Sequence, residues 1–137
     1  GATDTFISNK EDEPTEVAAL TNGKGADVAM EVVGLGATLG IAIDSVRNGG
    51  SVGCVGNIEP LSQLSLQKVV TRELTLYGSC ASAGEYAEAM EGLADGSIRV
   101  KPLISAVANL SEGASWFQRL QGGEDLFKVI LRPDSAT

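Results

Sequence analysis

Strand-like and helix-like patterns alternate through the first two thirds of the chain, the signature of βαβ units. Asp4–Ser8 reads as a short strand. Glu13-Pro14 opens a helix, since proline is tolerated in its first turn. Val17 and Leu20 share a face of that helix, and Asn22-Gly23 stops it. Asp27–Val33 is a nearly continuous apolar run, the pattern of a parallel strand covered on both faces. Glu31 interrupts it, so this carboxylate belongs near the strand end with a hydrogen-bonding partner or water. Leu39, Ile43 and Val46 recur at helical spacing and mark a buried stripe that Asn48-Gly49-Gly50 ends. Ser51–Val55 is the next strand and Gly56-Asn57 a turn. Leu64–Val70 suits a short helix, and Leu74–Ser79 a further strand.

The last third changes character. Tyr86, Met90 and Leu93 line one face of a helix that stops at Asp95-Gly96. Lys101–Ser105 is extended. Ser111 is the expected N-cap of a helix striped by Ala114, Phe117 and Leu120, which Gly122-Gly123 ends. Leu126–Leu131 forms the final strand. The pattern predicts an α/β fold with a parallel sheet. Residues 1–81 form the repeating α/β part and residues 82–137 a separate helical and strand segment.

Composition narrows the chemistry. The 137 residues carry 10 basic and 18 acidic side chains, a net charge of −8, and no histidine. Nucleic-acid binding needs clustered Lys and Arg and is not expected. No apolar run approaches the ~20 residues of a membrane span. Without histidine, this chain can build neither a Ser-His-Asp nor a Cys-His site, nor a zinc site that uses His. Two cysteines, Cys54 and Cys80, are too few for a disulfide framework and read as buried thiols in a reducing cytoplasm.

Gly34-Leu35-Gly36-Ala37-Thr38-Leu39-Gly40 follows a strand and opens a helix, the setting of a dinucleotide fingerprint. The spacing is wrong, because G-x-G-x-x-G places its third glycine where Leu39 stands. The acid that would hold a ribose could only be Glu59, beside Pro60. The turn therefore reads as an ordinary strand-to-helix connection at the sheet edge where open α/β folds bind ligands.

Several stretches together carry a resemblance. They are Gly1-Ala2-x-Asp4, Gly23-Lys24-Gly25-Ala26-Asp27-Val28, Glu31-Val32-Val33-Gly34, Arg47-Asn48-Gly49-Gly50-Ser51-Val52, Val55-Gly56, Arg72-Glu73-Leu74-Thr75-Leu76-Tyr77-Gly78-Ser79, Lys101-Pro102-Leu103-Ile104-Ser105 and Phe127-Lys128-Val129-Ile130-Leu131. In order and spacing this set resembles the carboxyl-terminal part of the zinc-dependent medium-chain alcohol dehydrogenases, nearest the polyol and threonine dehydrogenase branch. The resemblance implies a partial doubly wound, Rossmann-like sheet that lacks its first two strands. It implies NAD or NADP and zinc in the parent protein, with the zinc ligands outside this chain. The substrate class it implies is a small alcohol or polyol. The opening Gly1-Ala2-Thr3-Asp4 then reads as the middle of a domain, and the chain as a fragment inactive alone.

Site residues follow from the same resemblance. Val32 and Val33 match a strand-end pair beside the cofactor's ribose and nicotinamide. Val55 and Gly56 match the strand end facing the nicotinamide carboxamide, and Ser79 and Ala81 match backbone positions that complete its clamp. In this chain by itself, Val32, Val33 and Val55 read as core valines. Glu31 and Asp44 are the carboxylates nearest the expected cleft, and read as a strand-end hydrogen-bond acceptor and a helix-face charge. A zinc-free quinone reductase of the same superfamily and a non-catalytic dimerisation module remain alternatives.

In the usual strand order 3-2-1-4-5-6, loss of the first two strands orphans Asp4–Ser8 and opens one edge of Asp27–Val33. The expected remedy is that Asp4–Ser8 moves beside Asp27–Val33, or that another chain fills the gap. The resemblance also implies a cytoplasmic homodimer through Leu74–Ser79 or the segment before it. Trp116 and Phe127, deprived of the family's catalytic domain, must pack on the remaining sheet or lie partly exposed.

Overall fold

The computed structural model describes residues 2–7 and 12–133. The chain divides into two compact units, Gly1–Ala81 and Ser82–Thr137.

The first unit runs α1 (Glu13–Leu20), β1 (Ala26–Glu31), α2 (Gly36–Ser45), β2 (Val46–Cys54), α3 (Leu66–Thr71) and β3 (Thr75–Gly78). The three strands are parallel and lie in the order β1-β2-β3. Each crossover passes through a helix, the half-Rossmann arrangement expected of consecutive βαβ units. The core is small. Ala42, Ile43, Val46, Val52 and Leu74 are buried, with Ala29, Leu39, Cys54, Val69 and Leu76 packed around them. Strand alternation puts Ala29, Val52 and Leu76 on this covered face. Val28, Met30 and Tyr77 are exposed.

Two expectations therefore fail. Asp27–Val33 is covered on one face only, because both α2 and α3 contribute to the same core. Among the described residues nothing pairs with the outer edge of β1. Asp4–Ile7 forms no strand, and Ser8 lies outside the described residues. Among the described residues the chain does not repair this edge, because the Asp4–Ile7 backbone does not join the ladder.

Helix α1 begins at Glu13 as expected, with proline in its first turn. It ends through Thr21, whose hydroxyl donates to Val17 O at 2.7 Å and accepts from Gly25 N at 2.9 Å. On their shared face Val17 is half-buried and Leu20 is exposed. Helix α2 ends at Ser45, three residues before Asn48-Gly49-Gly50. Those residues instead form an irregularity in β2: Ala26 aligns with Val46 and Val28 with Ser51, so Arg47–Gly50 bulge out of register. Gly49 takes a positive φ of 69° there, and its N–H donates to Arg72 O at 2.8 Å. The Arg72 guanidinium crosses the same end of the unit. It donates to Ile43 O at 2.9 Å, to Val46 O and to Asn48 Oδ1 at 3.1 Å, tying α2 and the bulge to the end of α3.

The second unit holds α4 (Tyr86–Asp95), β4 (Ile104–Asn109), α5 (Gly113–Gln121) and β5 (Lys128–Arg132). Gly96, at a positive φ of 81°, ends α4 as a left-handed cap. Lys101–Leu103 is a 3-10 turn rather than extended chain, and the strand continues to Asn109. Strands β4 and β5 pair in parallel around α5, a third βαβ unit. Ser111 is not the N-cap of α5: Glu112 holds that position, and Asn109 caps the 3-10 turn before it. Asn109 and Glu112 close a reciprocal capping box around a 3-10 turn, Leu110–Glu112. Phe117 and Phe127 are exposed, and Trp116 is half-buried with the Arg119 guanidinium 4.0 Å above its ring.

Candidate functional site

The carboxyl ends of β1, β2 and β3 meet at one edge of the first unit. Val55 N and Gly56 N donate to Glu31 O at 2.8 and 3.1 Å, and Ser79 N donates to Cys54 O at 3.0 Å. These bonds extend the ladder past the last strand residues and fix the loops that follow. A cavity of about 340 Å³ opens between the second and third strand ends, lined by Cys54, Val55, Gly56, Asn57, Gly78, Ser79 and Cys80. Val55, Gly56 and Ser79 are thus brought together. Val32, Val33 and Ala81 lie on neighbouring strand ends but do not line this cavity.

The valines are not core residues. Val32 is 66% exposed, Val33 42% and Val55 41%. They follow the last residues of β1 and β2. Ala81 is exposed and left-handed, at a φ of 54°. Cys80 is exposed as well, against the expectation of a buried thiol, and Cys54 is half-buried against the core.

Glu31 is 5% exposed and closes β1. Its Oε1 accepts from Val33 N at 2.9 Å, Gly34 N at 2.8 Å and the Thr38 hydroxyl at 2.7 Å. Burial pushes its carboxyl up, but the bonds from Gly34, Thr38 and Val33 together outweigh burial and hold it below the ordinary value.

The next turn is equally constrained. Glu59 Oε2 accepts from Gly36 N, the first amide of α2, at 2.8 Å and from Ser62 Oγ at 3.1 Å. Glu59 N in turn donates to Gly34 O at 2.9 Å. The helix end that would receive a pyrophosphate in a dinucleotide fingerprint is occupied by the chain's own acid. The glycine-rich turn is therefore a structural joint, and Glu59 is its cap rather than a ribose ligand.

A larger concavity, about 470 Å³, lies at the opposite edge beside Lys24, Arg47 and Arg72. The carboxyl ends of α1 and α2 abut it. Cations there complement helix carbonyls, as the Arg72 bonds demonstrate, so it reads as a capping region. Asp44 belongs to that edge, paired with Lys68 at 2.7 Å, and is a helix-face charge far from the strand-end cleft.

Sequence reasoning missed three participants: Thr38, Glu59 as a cap, and Cys80 as a cavity wall. Thr38 lies seven residues after Glu31, across a turn whose geometry no periodicity encodes. The residues present do not fit a zinc ion. The chain has no histidine, and among the described residues no three His, Cys, Asp or Glu side chains converge.

Comparison with known proteins gives a consistent result. A family model described as zinc-binding dehydrogenase matches residues 1–95. The chain is 32% identical over 139 residues to a sorbitol dehydrogenase of Bacillus subtilis, a match covering 98% of this chain and 38% of that protein. It is 32% identical over 136 residues to an L-threonine 3-dehydrogenase of Bacillus licheniformis, covering 97% and 39%. The crystal structure of AibC superposes with a TM-score of 0.87 at 33% identity, covering 98% of this chain and 37% of that one. Alcohol dehydrogenase TADH from Thermus sp. ATN1 superposes at 0.80 with 28% identity, covering 93% and 38%. The chain thus spans under two fifths of the length of these relatives. A family match over residues 1–95, with the Rossmann-like half-sheet inside it, places the chain in the zinc-binding dehydrogenase family.

Proposed function

We propose that this chain supplies the nicotinamide-facing part of an NAD(P)-linked alcohol or polyol dehydrogenase. The observation that carries the reading is that exposed Val32 and Val33 stand at the same carboxyl edge of a parallel sheet as the cavity lined by Val55, Gly56 and Ser79. The residues fit the flat end of the cofactor: apolar side chains to lie against a ring, and glycine-lined backbone to meet a carboxamide. The phosphates belong elsewhere, since Glu59 already fills the α2 terminus. Bound in this way, the nicotinamide would accept hydride from the carbinol carbon of the substrate. The protein's part is to hold the ring and keep water from one of its faces.

Val32, Val33, Val55, Gly56, Ser79 and Ala81 are the proposed cofactor contacts. The first unit is the second part of a nucleotide-binding domain. The segment 82–137 packs on the catalytic part of the longer protein, whose residues bind the zinc. The same reading proposes a cytoplasmic homodimer joined near Leu74–Ser79, with this chain inactive by itself. Among the described residues no helix is long and apolar enough to cross a membrane.

The test is an amide NMR titration of the chain with reduced nicotinamide mononucleotide. Weak binding is expected, with shifts confined to the amides of Val32, Val33, Val55, Gly56, Ser79 and Ala81. Shifts centred instead on Lys24 and Arg47, or no response at any soluble concentration, would reject the reading.

A further inference from the structure

We infer that Glu31 is the positioning residue of this site, fixing through one carboxylate and one carbonyl the two strand ends that carry Val32, Val33, Val55 and Gly56. The inference rests on the cofactor-facing reading of those four residues.

The geometry is unusually concentrated. The carboxylate takes the N–H groups of Val33 and Gly34, and the carbonyl takes those of Val55 and Gly56. Four amides from two loops thus converge on one residue. These peptide bonds are trans, as are all among the described residues, so each of these N–H groups has its own plane's carbonyl pointing the opposite way. The Val55–Gly56 plane directs its N–H toward β1, and its Val55 carbonyl therefore points toward β3, where Ser79 and Cys80 line the cavity. The Val32 and Val33 carbonyls are likewise turned away from the Glu31 carboxylate. Glu31 thereby selects which face of each strand end offers acceptors to a ligand.

A carboxylate is required for this. Three donors meet Oε1, and Gly34 N also reaches Oε2 at 3.0 Å. Glutamine would keep one acceptor oxygen and set an NH2 against the remaining N–H. Thr38 completes the shell from α2, so the first turn of that helix is held to the same residue.

The experiment compares wild type, Glu31→Gln, Thr38→Val and Ile43→Val, the last being a mild core change away from the site. Two readouts are taken: affinity for reduced nicotinamide mononucleotide, and amide hydrogen exchange. In Glu31→Gln the affinity is expected to fall about tenfold or more. Exchange at Val33, Gly34, Val55 and Gly56 should accelerate together, while Val52 and Leu76 exchange as in wild type. Thr38→Val should show a smaller effect of the same pattern and serves as the test if Glu31→Gln fails to fold. Ile43→Val should lose stability without loss of affinity.

Wild-type affinity with unchanged exchange at Val55 and Gly56 in the folded variant would overturn the role of Glu31 and leave the cofactor reading standing. Absence of any nucleotide response in wild type would overturn both.

Discussion

Gly34 and Gly56 touch backbone to backbone: a Cβ added at Gly34 would stand 2.5 Å from the carbonyl carbon of Gly56, and one added at Gly56 would stand 2.6 Å from the Gly34 Cα. Both contacts are with main chain, which cannot swing aside. Gly34 also has a positive φ of 89°. Gly56→Ala and Gly34→Ala should each cost about 3 kcal/mol, near the upper end for overpacking, with strain adding at position 34. Gly40 in α2 has open space around it. Gly40→Ala should therefore stabilise by about 0.5–1 kcal/mol. Urea denaturation of the three variants would check the contrast.

The bonds to Glu31 make stability depend on acid. Its carboxyl is held below the ordinary value, so the folded state favours the ionised form. The contribution is fully present above the ordinary value of about 4.5 for an unfolded glutamate and is lost as pH falls through the lowered folded value. Thermal melts should show wild type losing more stability than Glu31→Gln across that acidic window. Parallel pH profiles for the two would contradict the assignment.

Arg72 should matter far more than the exposed ion pair near it. Its guanidinium serves Ile43 O, Val46 O and Asn48 Oδ1 at once. Lysine holds its three donors on one nitrogen and cannot reach the acceptors that Arg72 meets from three separate nitrogens. Arg72→Lys should cost about 1.5–3 kcal/mol, the range for hydrogen bonds involving a charged partner. Lys68→Ala, which breaks the exposed pair with Asp44, should cost under about 1 kcal/mol. Chemical denaturation distinguishes the two.

Association is the fourth expectation. A dimer through Leu74–Ser79 should sediment at twice the chain mass at micromolar concentration. Gly78→Pro, which removes an outward N–H from the edge strand β3 (its neighbour Ser79 donates inward to Cys54 O), should return it to the monomer. A single monomeric boundary for wild type would exclude that interface.

Much of this architecture was legible in the chain. The apolar runs at Asp27–Val33, Ser51–Val55 and Leu74–Ser79 located all three strands of the first unit, and Glu31 was read correctly as a strand-end acceptor. What escaped was determined by non-local geometry. An apolar run is equally consistent with one covered face or two, so the exposure of Val28 and Met30 could not be read from it. Asn48-Gly49-Gly50 looks the same whether it ends a helix or kinks a strand, and only the Arg72 bonds decide. Val32, Val33 and Val55 have core composition but follow the last residues of β1 and β2, a fact of strand length rather than residue type. Glu59 lies 23 positions from its partner Gly36, outside any local signal.

The six residues of β1 keep a whole flank of amides and carbonyls unclaimed by any other described strand. Such a flank is a template on which extended polypeptide can zip, whether a like molecule or a foreign peptide. Crowding and heat both increase that traffic. Handling of this chain is therefore governed by who docks first on that flank, and a short peptide offered in excess would act as a sacrificial chaperone against precipitation.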